Sequence, residues 1–148
     1  DIISDNANWI TSSFNIGSEY VLQAFANQFD PADSTSYYFG GRPAVAPITD
    51  QDQARVYFPR NGIVKAARIF WKSFGTGSAE DVSIYIRINN TTDYLINTVG
   101  GISSYKLFST SALNIDISSG WYFEIKVVTP AWGTNPTALW LSGSIYIE

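Results

Sequence analysis

At 148 residues, with 45% hydrophobic and 16% aromatic residues against only 15% charged, the chain has the size and composition of one packed domain and not of a disordered segment. A net charge of −4 without any basic block excludes a phosphate-backbone partner, so no nucleic acid is expected. The absence of Cys and His removes disulfides, thiolate nucleophiles, the commonest general base and the commonest metal ligand.

No apolar run approaches the roughly eighteen residues a membrane helix needs, so membrane insertion is not expected. The amino end lacks a basic region ahead of an apolar one. Its first residue is Asp1 and not Met, which reads equally as a processed product or as a piece of a longer polypeptide. The whole of 1–148 reads as a single domain, with 1–29 an amino-terminal arm or its first strands.

Asp1 to Asn15 is polar with isolated anchors at Ile2, Ile3, Trp9, Ile10 and Phe14. Residues 20–26 fit a strand or a short helix; the turn chemistry that follows, Asp30-Pro31-Ala32-Asp33-Ser34, favours a strand. Thr35 to Phe39 is a β-branched and aromatic strand stopped by Gly40-Gly41. Arg42 to Asp52, with Pro43 and Pro47, is an irregular loop. Arg55 to Phe58 is a short strand cut off by Pro59, and Asn61-Gly62 predicts a hairpin. Residues 63–74 again fit strand or helix, and bracketing by Asn-Gly and Gly75-Thr76-Gly77-Ser78 favours the strand.

The clearest signal is Asp81 to Asn90. Val82, Ile84, Ile86 and Ile88 alternate with Ser83, Tyr85, Arg87 and Asn89, giving a strand with one apolar face. The polar turn from Asn89 to Asp93 then returns the chain at Tyr94-Leu95-Ile96 as a hairpin central to a sheet. Beyond Gly100-Gly101, Tyr105 to Phe108, the alternating Leu113, Ile115 and Ile117, and Trp121 to Val128 are further strands. Thr129 to Pro136 is a loop, and Leu139, Leu141, Ile145 and Ile147 form a last strand with Gly143 among them. Short strands at turn-marked spacing with no convincing helix indicate an all-β, antiparallel β-sandwich, jelly-roll-like.

Carboxylates are the available catalytic acids and bases, and paired acids across a groove would suit glycoside hydrolysis. Asp30 and Asp33, however, stand where a turn requires them, and Glu124 lies on the Lys126 side of an amphipathic strand. Asp30, Asp33, Asp50 and Asp52 are candidate oxygen donors to Ca²⁺, although their spacing matches no EF-hand loop. No other cofactor is indicated, and the chain is read as no enzyme. Trp71, Trp121 and Trp140 fall within apolar strands and are expected in the core. Trp9 and Trp132, in polar or proline-rich segments, are expected to stay exposed. With Tyr37 and Tyr38 they are the candidate ligand-binding aromatics, since an exposed ring flanked by planar polar groups can hold a sugar face. The same residue types are enriched in subunit interfaces, and with so few charges a homo-oligomer is the favoured partner.

Asp30-Pro31-Ala32-Asp33, Thr35 through Tyr37-Tyr38-Phe39-Gly40, the hairpin Tyr85-Ile86-Arg87-Ile88-Asn89-Asn90-Thr91-Thr92, Gly120-Trp121, Thr129-Pro130-Ala131-Trp132, Asn135-Pro136-Thr137 and the closing Gly143-Ser144-Ile145-Tyr146-Ile147-Glu148 together are similar to domains of bacteriophage virion proteins, notably fibre and appendage tips. The resemblance runs from Asp30 onward and consists of turn and strand signatures. It implies a non-enzymatic, trimeric structural module that carries receptor-binding loops or decorates a capsid. Its partners would be sister copies, other virion proteins and a host-surface glycan, and its place the virion or the extracellular space. The rival readings are a secreted carbohydrate-binding module and a self-assembling filament or shell subunit.

Overall fold

Period-two alternation becomes strand throughout the described residues. The computed structural model describes residues 19–41, 47–74, 80–100 and 105–148, and these form β1 (Tyr20–Phe29), β2 (Ser36–Phe39), a 3-10 turn (Gln51–Gln53), β3 (Val56–Tyr57), β4 (Gly62–Lys72), β5 (Val82–Ile88), β6 (Thr92–Val99), β7 (Tyr105–Thr110), β8 (Ile115–Ile117), β9 (Tyr122–Val128) and β10 (Leu139–Ile147). Both stretches that were open between helix and strand are strands, β1 and β4. Burial decides it: Val64, Ala67, Ile69 and Trp71 turn into the core while Arg68 and Phe70 face out.

One sheet runs β1-β10-β4-β7 with β8 also pairing β4; the other runs β2-β9-β5-β6 with β3 also pairing β9, and every pairing is antiparallel. Leaving aside the short β3 and β8, each passage from one long strand to the next changes sheet, except the β5–β6 hairpin. That winding is a jelly roll, two antiparallel sheets wrapped face to face.

The core lies between the sheets. Val82, Ile84, Ile86 and Ile88 of β5 join Phe123, Ile125 and Val127 of β9, and they meet Ile69 and Trp71 of β4, Phe108 of β7 and Leu139, Leu141, Ile145 and Ile147 of β10. Phe58 stacks on Phe123 and Trp71 on Phe108, with ring centroids 5.3 and 6.1 Å apart. Burying one such side chain is worth about 1.5–3 kcal/mol, so the inward face of β5 alone is a major stabilising element.

The β5–β6 turn works through its asparagines. Asn89 and Asn90 take φ of 49° and 59°, and Thr91 N–H donates to the Ile88 carbonyl at 3.1 Å. Two successive positive φ values suit the right-handed twist of the flanking strands, and Asn tolerates them best after Gly.

Asn61-Gly62 departs from expectation. It forms no hairpin: β3 pairs β9 in one sheet whereas β4 begins at Gly62 in the other, so the dipeptide carries the chain between layers. Gly62 is needed there for close approach, since a Cβ would stand 2.5 Å from the Glu148 carbonyl oxygen. Ile63 and Glu148 exchange two backbone hydrogen bonds of 2.8 and 3.0 Å beside it.

Two further expectations fail. Trp121 and Trp140 are 41% and 42% exposed, and only Trp71 among the three strand tryptophans is core. Trp140 follows Leu139 and precedes Leu141, both inward, so the pleat turns it outward.

Candidate functional site

Of the aromatics singled out for ligand binding, the three among the described residues do not form an exposed surface. Trp132 is buried, its backbone N–H donating to Asp33 Oδ1 at 3.2 Å. Tyr38 is buried, with the segment around Ile48 bridging its backbone in both directions. Tyr37 is half-buried: its ring meets Phe29 edge-on at 5.0 Å and its hydroxyl accepts from Ala32 N–H at 2.9 Å. Trp9 lies outside the described residues.

The four candidate calcium aspartates are likewise engaged by protein donors. Asp30 Oδ1 accepts from Ala138 N–H at 2.7 Å, and Asp33 Oδ1 also accepts from Asn135 Nδ2 at 3.0 Å, clasping the turn before β2 to the loop before β10. Asp50 caps the 3-10 turn; the Gln53 amide and the Asp52 N–H hold its carboxyl below the usual carboxylate range. Asp52 pairs with Arg55. Among the described residues no group of three or more acids is gathered to hold a metal ion.

The two outer sheet faces carry the unassigned chemistry, and they differ. On the β1-β10-β4-β7 sheet, register aligns Phe25, Ser142, Phe70 and Leu107 in one row and Trp140, Lys72 and Tyr105 in the next. Phe25, Phe70, Leu107, Trp140 and Tyr105 are between 41% and 65% exposed, and Phe74 packs edge-on against Trp140 at 5.7 Å. Beside this apolar band lies a groove of about 330 Å³ lined by Val21, Ala66, Arg68, Ser144 and Tyr146. A hydrogen bond to Glu19 is the main cause that pushes the Tyr146 hydroxyl up to about 12.

The outer face of the β2-β9-β5-β6 sheet is polar and aromatic. Glu124 of β9 pairs in register with Arg87 of β5, and Arg55 immediately precedes the Val56 that pairs Phe123. Glu124 shows no exposed surface, and neither carboxyl oxygen meets a hydrogen-bond donor. Burial pushes its carboxyl up to about 7 despite the charges of Arg87 and Arg55. Arg87 is held elsewhere, donating to Asp93 Oδ1 at 2.7 Å and to the Asn90 carbonyl at 2.9 Å. Lys126 also donates to Asp93, at 2.7 Å. Burial raises the Asp93 carboxyl, but the bonds from Lys126 and Arg87 outweigh it and hold the group below the usual range. Next to Glu124 stand Tyr122 and Tyr57, a cross-strand ring pair 5.5 Å apart.

A raised carboxyl beside an acid is a familiar arrangement for glycoside hydrolysis. A general acid must reach the oxygen it protonates, and Glu124 exposes nothing to a substrate. Strand parity turns Trp140, Phe70 and Leu107 outward, a signal that strand membership alone overrode for the tryptophan. Glu124 offered no comparable signal, because its burial comes from neighbours distant in sequence.

No family model matches the chain, and no curated protein sequence matches it. Among solved structures it is similar to the Eiger TNF from S. frugiperda, at 10% identity and a TM-score of 0.46 over 84% of this chain and 91% of that one. It is also similar to the infectious bursal disease virus Gx strain structure, at 12% identity and a TM-score of 0.38 over 88% of this chain and 32% of that one. The jelly-roll assignment follows from the strand order. Among the described residues no helix is long and apolar enough to cross a membrane.

Proposed function

We propose that the chain is a non-enzymatic structural module that assembles with copies of itself through the outer face of the β1-β10-β4-β7 sheet. The observation that carries this is the alignment of Phe25, Phe70, Leu107, Trp140 and Tyr105 in adjacent rows on that face, all substantially exposed. Contiguous apolar surface of this kind is uncommon on monomers and marks interaction sites. Arg68 and Lys72 supply positive charge beside these rows, and Glu19 beside Tyr146 supplies an acid at the rim, so a sister copy brings both apolar area and an opposite charge. The resemblance of the turn and strand signatures to bacteriophage fibre and appendage tips supports a trimer and a place on the virion, as a receptor-binding tip or a capsid-decorating protein.

Sedimentation equilibrium at micromolar concentration tests the reading. The wild-type chain is expected as a trimer. Phe70→Asp and Leu107→Asp are expected as folded monomers with unchanged circular dichroism. A monomeric wild type overturns the proposal.

A further inference from the structure

The ledge formed by Tyr57 and Tyr122 lies on the other sheet, and the argument from it is independent of self-assembly. Tyr57 sits on the two-residue strand β3 and is 57% exposed, yet its position is set from several sides. It pairs with Tyr122 across the ladder, with rings 5.5 Å apart at 59°, and the next residue, Phe58, donates its N–H to the Trp121 carbonyl at 2.8 Å. The Arg55 guanidinium stands 4.4 Å from the centre of the Tyr122 ring and is bonded to Asp52 Oδ1. Asn90, from the β5–β6 turn, brings its Nδ2 to the same oxygen at 3.5 Å.

A fixed aromatic surface is thereby bordered by a carboxylate and a guanidinium from the turn before β3 and by an amide from the β5–β6 turn. We propose that this ledge, Tyr57 and Tyr122 with Asp52, Arg55 and Asn90 at its border, binds a neutral saccharide. The apolar face of a pyranose ring matches an exposed tyrosine ring, and its hydroxyls match planar groups that both donate and accept. The Asp52 side chain remains 61% exposed and that of Arg55 30%, so both border the ledge within reach of solvent. Their mutual pairing orients them before any ligand arrives, which lowers the cost of ordering on binding. It also cancels their charge, and the neighbouring Arg87 and Lys126 are neutralised in part by Asp93. A phosphate or sulfate therefore finds no uncompensated cation at the ledge, which favours the neutral class. The broad apolar rows that would suit a protein partner lie on the opposite sheet.

The test is a printed array of neutral glucosides, galactosides and mannosides together with sialylated and sulfated glycans, read with wild type, Tyr57→Ala, Tyr57→Phe and Asp52→Asn. Wild type is expected to bind at least one neutral pyranoside. Tyr57→Ala is expected to lose about tenfold in affinity or more, Tyr57→Phe to stay within about threefold, and Asp52→Asn to weaken binding, all with wild-type circular dichroism. Binding to no neutral member, binding to sulfated or sialylated members alone, or undiminished binding by Tyr57→Ala overturns the proposal. None of these outcomes depends on the sedimentation result, so the two readings fail separately.

Discussion

Arg87 and Glu124 face each other across the β5–β9 ladder without a hydrogen bond between them. The guanidinium is bonded to Asp93 and to Asn90, and the carboxyl is left buried in the field of Arg87, Arg55 and Asp52. A buried carboxyl without donors favours its protonated form.

That gives stability a definite pH dependence. The Glu124 carboxyl is raised from 4.5 to about 7 in the folded chain, so the folded state holds a proton the unfolded state has released. The stabilisation is fully present below about 4.5 and is gone once pH has risen through about 7. Asp93 acts oppositely: its lowered carboxyl stabilises the fold above the ordinary 3.8 and loses that contribution as pH falls below it. Urea melts are expected to show the stability maximum on the acid side of neutrality and a loss on the order of 2 kcal/mol between pH 5 and pH 8. Glu124→Gln is expected to flatten that slope. A slope of equal size in the variant would assign it to another group.

Asp33 holds two loops together through Trp132 N–H and Asn135 Nδ2. Asp33→Ala leaves both donors without this acceptor and is expected to cost about 1–3 kcal/mol, seen as a lower melting temperature. Calcium chloride or a chelator is expected to leave the wild-type melting temperature unchanged, since Asp30, Asp33, Asp50 and Asp52 already serve protein donors or cations. A rise of several degrees with calcium would show that these carboxylates gather around a cation in solution.

Two glycines discriminate a rigid from a yielding environment. A Cβ at Gly62 would meet the Glu148 carbonyl oxygen at 2.5 Å, which is backbone, whereas at Gly143 it would meet the Ile69 Cδ1 at 2.6 Å, the tip of a side chain. Gly62→Ala is expected to destabilise by roughly 1–3 kcal/mol and Gly143→Ala by less. Chemical denaturation of both variants checks the order.

Ile86 and Leu107 separate core from contact surface. Ile86 is fully buried and Leu107 is 56% exposed. Ile86→Ala is expected to cost about 2–5 kcal/mol whatever the protein concentration. Leu107→Ala is expected to change the stability of the isolated protomer by no more than about 0.5 kcal/mol and to weaken self-association. Thermal melts over a hundredfold range of concentration distinguish the two.

The strands were legible because one face of each is buried, and burial imposes a period of two that a single sequence displays. Val82, Ile84, Ile86 and Ile88 announce β5 without any knowledge of its neighbours. Pairing was not legible in this way: Asn61-Gly62 has hairpin chemistry, but β3 and β4 belong to different sheets. Nor was the fate of the tryptophans. Trp132 joins the core cluster from a proline-rich loop whose backbone is bonded to Asp33, distant in sequence, and strand membership suggested core for Trp140 where parity turned it outward. Glu124 shares its parity with Lys126, and its burial by Arg55 and Arg87 is a product of the assembled sheet.

The strand order also governs the order of events in folding. β10 lies between β1 and β4, so the middle of that sheet is supplied by the last of the described strands, with Tyr20 paired to Ile147. A growing polypeptide that has not reached Leu139 has β1 and β4 with an empty lane between them, and the core lacks Leu139, Leu141, Ile145 and Ile147. Such a topology is slow to mature, on a scale of milliseconds to seconds once β10 is available, and it is exposed to aggregation while it waits.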